Sequence, residues 1–119
     1  MDFHTDKPIY LQIVEYVYER ILEGQWREKD KIISVRELAA NLEVNPNTVM
    51  RAYEKLQQDD IIFNKRGIGF FVVEQAITKI KNHRKESFIQ NDLTQTLHTA
   101  KLLGISKSDI LALFEQHLK

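Results

Sequence analysis

A mainly helical α+β fold is what this sequence predicts: a small helical domain carrying one two-stranded hairpin, then a separate helical segment. Three observations carry that expectation. Apolar residues recur at helical spacing over residues 8–23 and again over 35–58. Two short β-prone runs, Ile61-Ile62-Phe63 and Phe70-Phe71-Val72-Val73, flank a glycine-containing turn. From Glu74 to Leu103 neither proline nor glycine interrupts the chain, and apolar residues again recur at roughly helical spacing.

The first helix is expected over residues 8–23, entered near Pro8, with Ile9, Ile13, Val14, Val17 and Ile21 as its apolar stripe and Gly24 as its stop. Tyr10, Tyr16 and Tyr18 lie on its flanks, where packing is the expected role. A polar connector follows, anchored by Trp26, the only tryptophan. Ser34 is a good N-cap, and Glu37 three residues later completes a capping box for a second helix. Asn45 and Pro46 open a third, with a side-chain cap and a proline whose missing N–H is no loss there. Val49, Ala52, Tyr53 and Leu56 share one face and are expected core; Asn47, Thr48, Arg51 and Lys55 form an opposite face read as polar, basic and free of acids. Asp59-Asp60 reads as a helix-ending turn, and Asn64 to Gly69 as the hairpin tip.

Helix, helix-turn-helix, hairpin is the order of a winged helix-turn-helix, here expected over residues 1–74. Residues 75–119 are expected to form a two-helix segment, although the apolar register slips near Arg84–Ser87, leaving one long helix or two open. Gly104 closes it, and Ser106 with Asp109 makes a second capping box before Ile110, Leu111, Leu113, Phe114 and Leu118. So short a helical pair usually covers its stripe with a second copy, so Ile89, Leu93, Leu97 and Phe114 are expected at a homodimer interface. The alternative is a tail folded back on its own winged helix.

The bulk properties set limits. With 43% hydrophobic and 29% charged residues, the 119-residue chain belongs with soluble globular proteins. No apolar run is long enough to span a membrane, and the N-terminus lacks the basic and apolar regions of a signal peptide. The absence of cysteine excludes disulfides and thiol chemistry and fits a reducing cytoplasm. Net charge is zero, with acids in excess over residues 1–75 and bases in excess beyond. Phosphate binding needs a local basic surface rather than a positive total, so distribution decides.

A winged helix-turn-helix lays its second motif helix in a major groove of double-stranded DNA. Asn45, Asn47 and Thr48 stand at that helix's N-terminus, where free N–H groups and the dipole favour phosphate; Asn45 is equally a plain cap. Arg51 is the candidate contact from mid-helix. On the wing, Lys65 and Arg66 suit the backbone or minor groove, and Gly67 and Gly69 allow close approach. His4, His83, His98 and His117 show no metal-ligand spacing, and no Walker loop, nucleophile elbow or dinucleotide fingerprint occurs, so no enzyme, metal or cofactor is expected.

Pro8-Ile9-Tyr10, Ser34-Val35-Arg36-Glu37-Leu38-Ala39, Val44-Asn45-Pro46-Asn47-Thr48-Val49, Arg51-Ala52-Tyr53 and Lys65-Arg66-Gly67-Ile68-Gly69 together resemble the winged-helix domain of the GntR family of bacterial transcription regulators. The compact tail resembles its YtrA subfamily. The resemblance implies a homodimeric repressor on an inverted-repeat operator, often that of an ABC-transporter operon, and it implies a DNA contact for Arg36. The local alternative for Arg36 is a surface salt bridge. Glu28-Lys29 replaces the family's usual Pro-Gly, Ile33 its proline, Glu43 its glycine and Ile68 its wing arginine. The last change shifts discrimination toward Arg36, Asn47, Thr48 and Arg51. No residue set points to a small-molecule effector. A winged-helix adaptor that binds protein instead of DNA is the competing expectation, favoured by the neutral charge and by Ile68.

Overall fold

Local chemistry sets the element boundaries. In the computed structural model, which describes Phe3 and residues 6–118, α1 runs Ile9–Leu22, and the chain beyond it turns at Gly24 with φ +80°. Helix α2 (Val35–Leu42) starts where Ser34 Oγ accepts the Glu37 N–H at 3.1 Å; this is one arm of the expected capping box. It ends at Glu43, whose φ of 56° and ψ of 46° are left-handed. A side chain in that conformation costs roughly 1 kcal/mol relative to glycine. Helix α3 (Pro46–Gln58) starts with Pro46 in its first turn, and Asn45 Oδ1 accepts the Asn47 N–H at 2.8 Å. Asp59 and Asp60 end it as expected, and each is ion-paired, with Lys55 at 2.9 Å and with Lys79 respectively.

Strands β1 (Ile62–Lys65) and β2 (Gly69–Val72) pair antiparallel, with Phe63 opposite Phe71 and Lys65 opposite Gly69. The connector before α2 is more than a polar loop. Ile32 N–H donates to Phe70 O at 2.9 Å, Lys29 N–H to Val72 O at 2.8 Å, and Val72 N–H to Asp30 O at 3.0 Å. Residues 29–32 therefore line the free edge of β2, which steadies a hairpin that would be marginal alone. Gly69 suits this position by its backbone: its φ of +141° is one that residues with a side chain rarely adopt. Lys29 stands where the resemblance expects glycine, and its φ of 69° shows why.

The chain divides into two compact units, residues 1–81 and 82–119. The first owns the hydrophobic core. Ile13, Val17 and Ile21 of α1 meet Leu38 and Ala39 of α2 and Val49, Ala52, Tyr53 and Leu56 of α3. Ile61, Ile62, Val72 and Val73 add the hairpin, and Ala76 and Ile80 bring in the start of α4 (Ala76–Ser87). Ile9 departs from the expected stripe. It is exposed at the first position of α1, whereas Tyr18, expected on a flank, is core.

The second unit carries the register slip as a π-helical stretch. The backbone stays helical from α4 through Phe88–Leu93, which is π-helical, into α5 (Thr94–Leu102). A π turn adds residues to the turn and so rotates the apolar stripe, which is how one helical run absorbs the slip. Helix α6 (Lys107–His117) has both arms of the Ser106–Asp109 capping box. No residue of the π stretch, α5 or α6 is buried.

Candidate nucleic-acid interface

The core dictates which face of α3 is free. With Val49, Ala52, Tyr53 and Leu56 turned inward, Asn47 and Arg51 are left exposed and Thr48 half-buried. Asn47, Thr48 and Arg51 line one open depression together with Pro8, Ile9 and Tyr10 from the start of α1. Two parts of the expected face change. Lys55 is half-buried and neutralised by Asp59, and Glu54 is exposed seven residues after Asn47, which returns it to the same stripe. The face is therefore free of acids only over its N-terminal half, where the helix dipole is also most positive.

Tyr53 fixes the tilt of that face. Its hydroxyl donates to the Ile33 carbonyl at 2.7 Å, and its ring meets Phe70 edge-on at 5.0 Å, so α3 is tied to both the connector and the wing. Burial, aided by the nearby Tyr16, pushes the Tyr53 hydroxyl well above the ordinary tyrosine range. It is a fixed donor, in keeping with the expected packing role.

The other expected residues fall into two groups. Arg36 is exposed in the first turn of α2. Among the described residues Arg36, Arg51 and Arg66 form no ion pair. At the wing tip, Ile68 N–H donates to Lys65 O at 2.9 Å, and Gly67 takes φ +79° at the third position of that turn, as a type II turn requires. Lys65, Arg66 and Ile68 are exposed around it. The Lys65 ammonium sits 4.7 Å from the Phe71 ring centre, and Phe71 stacks on Phe63 at 5.6 Å.

The sequence offers Tyr10 as flank packing and as part of the Pro8-Ile9-Tyr10 entry to α1, with no role in DNA contact. The Arg51 guanidinium lies 3.9 Å above its ring. No local signal could have found this pair, because the partners lie 41 residues apart on different helices. Among the described residues no group of three or more His, Asp or Glu could hold a metal, and no helix is long and apolar enough to cross a membrane. His4 lies outside them.

A three-helix core with a two-stranded wing, exposing the N-terminal half of the second motif helix, defines a winged helix-turn-helix of the DNA-binding class. Residues 9–72 match the family of bacterial regulatory proteins, gntR family. Two Bacillus subtilis proteins are similar along most of their length. The HTH-type transcriptional repressor YtrA is 37% identical over 88% of this chain and 80% of its own. The HTH-type regulator YhcF is 35% identical over 92% and 88%. A solved GntR-family regulator from Bacteroides thetaiotaomicron is 42% identical, covering 93% of this chain and 96% of its own with a TM-score of 0.81. The chain belongs to the GntR family, within its YtrA-like subfamily. It is a DNA-binding transcriptional regulator, not an enzyme.

Proposed function

We propose that the protein acts in the cytoplasm as a homodimeric repressor, seated on an inverted-repeat operator such as that of an ABC-transporter operon. The observation that carries the DNA-reading part is the exposed N-terminal half of α3, where Asn47, Thr48 and Arg51 lie around one depression and Arg51 forms no ion pair among the described residues. In this reading Arg51 grips a guanine edge or a phosphate, Asn47 and Thr48 take phosphate or base beside the helix N-terminus, and Asn45 caps. Arg36 adds a phosphate contact from α2. Lys65 and Arg66, with Gly67 and Gly69 shaping the turn, meet the backbone beside the groove. The repressor role is drawn from the likeness to YtrA.

Dimerisation is supported by the second unit. Ile89, Leu97 and Phe114 are exposed and Leu93 only half-buried, an apolar surface that a second copy would cover. Two recognition helices related by a dyad would then enter successive major grooves, about 34 Å apart. The test is anisotropy titration on duplex DNA from upstream of the protein's own gene. Specific binding that falls steeply with salt is expected, and Arg51→Ala should weaken it by about 1–3 kcal/mol if the contact is to a base. Equal affinity for operator and scrambled duplex would sink the operator reading.

A further inference from the structure

We infer that Tyr10 is a positioning residue for DNA recognition: its ring is the platform that holds the Arg51 guanidinium in its reading posture. The inference rests on the proposed DNA contact of Arg51. The ring lies 3.9 Å beneath the guanidinium, inside the distance at which an aromatic face attracts a cation. Tyr10 is itself fixed. It is the second residue of α1, half-buried against the core, while α1 packs on α3 through fully buried residues of both helices. Among the described residues Arg51 is exposed and forms no ion pair.

A free arginine side chain must surrender most of its rotamer freedom to make a two-pronged contact. A stacked guanidinium has surrendered part of that freedom already, and its N–H edges remain in the plane, pointing away from the ring. Stacking uses the face and leaves the edge, the part that pairs with guanine O6 and N7 or with phosphate. The depression shared by Tyr10, Arg51, Asn47 and Thr48 thus makes the start of α1 part of the reading surface. The helix-turn-helix motif alone does not contain this residue.

The experiment is a double-mutant cycle on full-length protein, read by operator affinity, with thermal midpoints recorded for each variant. Tyr10→Leu should weaken operator binding about two- to fivefold, the equivalent of an exposed cation–π contact. Tyr10→Phe, which keeps the ring, should bind as wild type. In an Arg51→Ala background Tyr10→Leu should have no further effect. An equal loss with and without Arg51 would overturn the inference, since Tyr10 would then act on its own or through the fold. Tyr10→Phe as weak as Tyr10→Leu would overturn it in favour of a hydroxyl contact. Tighter binding by Tyr10→Leu would mean that the ring sequesters the arginine. If Arg51→Ala alone binds normally, the proposed contact of Arg51 fails and the inference fails with it, an outcome that this single variant separates from the others.

Discussion

The two compact units treat the same kinds of side chain in opposite ways. In the first unit, most branched aliphatics of four helices and the hairpin are enclosed, with Ile13, Val49, Leu56 and Ile80 at 0% exposure. In residues 82–118 the large apolar residues stay open, Leu102 at 73% and Phe114 at 59%. Both units are capped by the same Ser-x-x-acid chemistry, so capping does not distinguish them. The difference lies in layering. The first unit closes a core between packed elements, whereas helices as short as α5 and α6 are marginal in water without one. One unit encloses its own core; the open surface of the other is the one that the proposed second copy would cover.

The largest expected effect tests the first half of that contrast. Leu56→Ala removes a fully buried side chain and should cost about 2–5 kcal/mol of unfolding free energy, read from a urea transition. Phe114→Ala, measured at a protein concentration low enough to dissociate a dimer, should leave the same transition unmoved. Comparable losses in the two variants would break the contrast. The next effect addresses the second half. Leu97→Ala with Phe114→Ala should weaken self-association by about 2 kcal/mol or more, roughly thirtyfold in Kd, by sedimentation velocity. The melting temperature of wild type should rise with protein concentration, and that of the double variant should rise less.

What the sequence made legible follows from the range of the interactions. Caps and apolar spacing are set within a few residues, so α1, α3, the hairpin and both serine caps could be read directly. Glu43 illustrates a half-legible site: its place in the turn was evident, but its left-handed backbone needed coordinates. The strand-like seat of residues 29–32 on β2, the Tyr10–Arg51 stack and the Lys65–Phe71 contact were not legible. Each joins residues remote in sequence or depends on side-chain direction. The misjudged acid at Glu54 was different, since its i+7 relation to Asn47 was there to be counted.

A smaller effect sharpens how the first unit holds its turn. Glu43→Gly removes a side chain from φ 56° and should raise stability by up to about 1 kcal/mol, less whatever the more flexible unfolded chain takes back. A higher urea midpoint at an unchanged slope is the expected result. An unchanged or lower midpoint would mean that the unfolded-state entropy outweighs the strain.

The smallest effect lies on the surface of the same unit, where the connector meets the end of the wing. Lys29 Nζ and a Glu74 carboxylate oxygen are 2.9 Å apart, and Gln75 N–H donates to Glu28 Oε1 at 2.6 Å. The hydrogen bond from Lys29, reinforced by its charge, holds the Glu74 carboxyl below its ordinary 4.5. The hydrogen bond to Glu74 and its charge in turn hold Lys29 above its ordinary 10.5. A depressed carboxyl contributes stability that is present above pH 4.5 and lost as pH falls through its folded value. A raised ammonium contributes below pH 10.5 and loses its contribution as pH rises through its folded value. Lys29→Gln should therefore lower stability slightly across the window between those two edges, where the pair contributes, and leave it unchanged beyond them, so that both edges flatten. Because both side chains are exposed, added salt should erase most of the difference between variant and wild type. A difference that survives high salt would mean that Lys29 acts through its left-handed backbone, with φ 69°, and not through its charge.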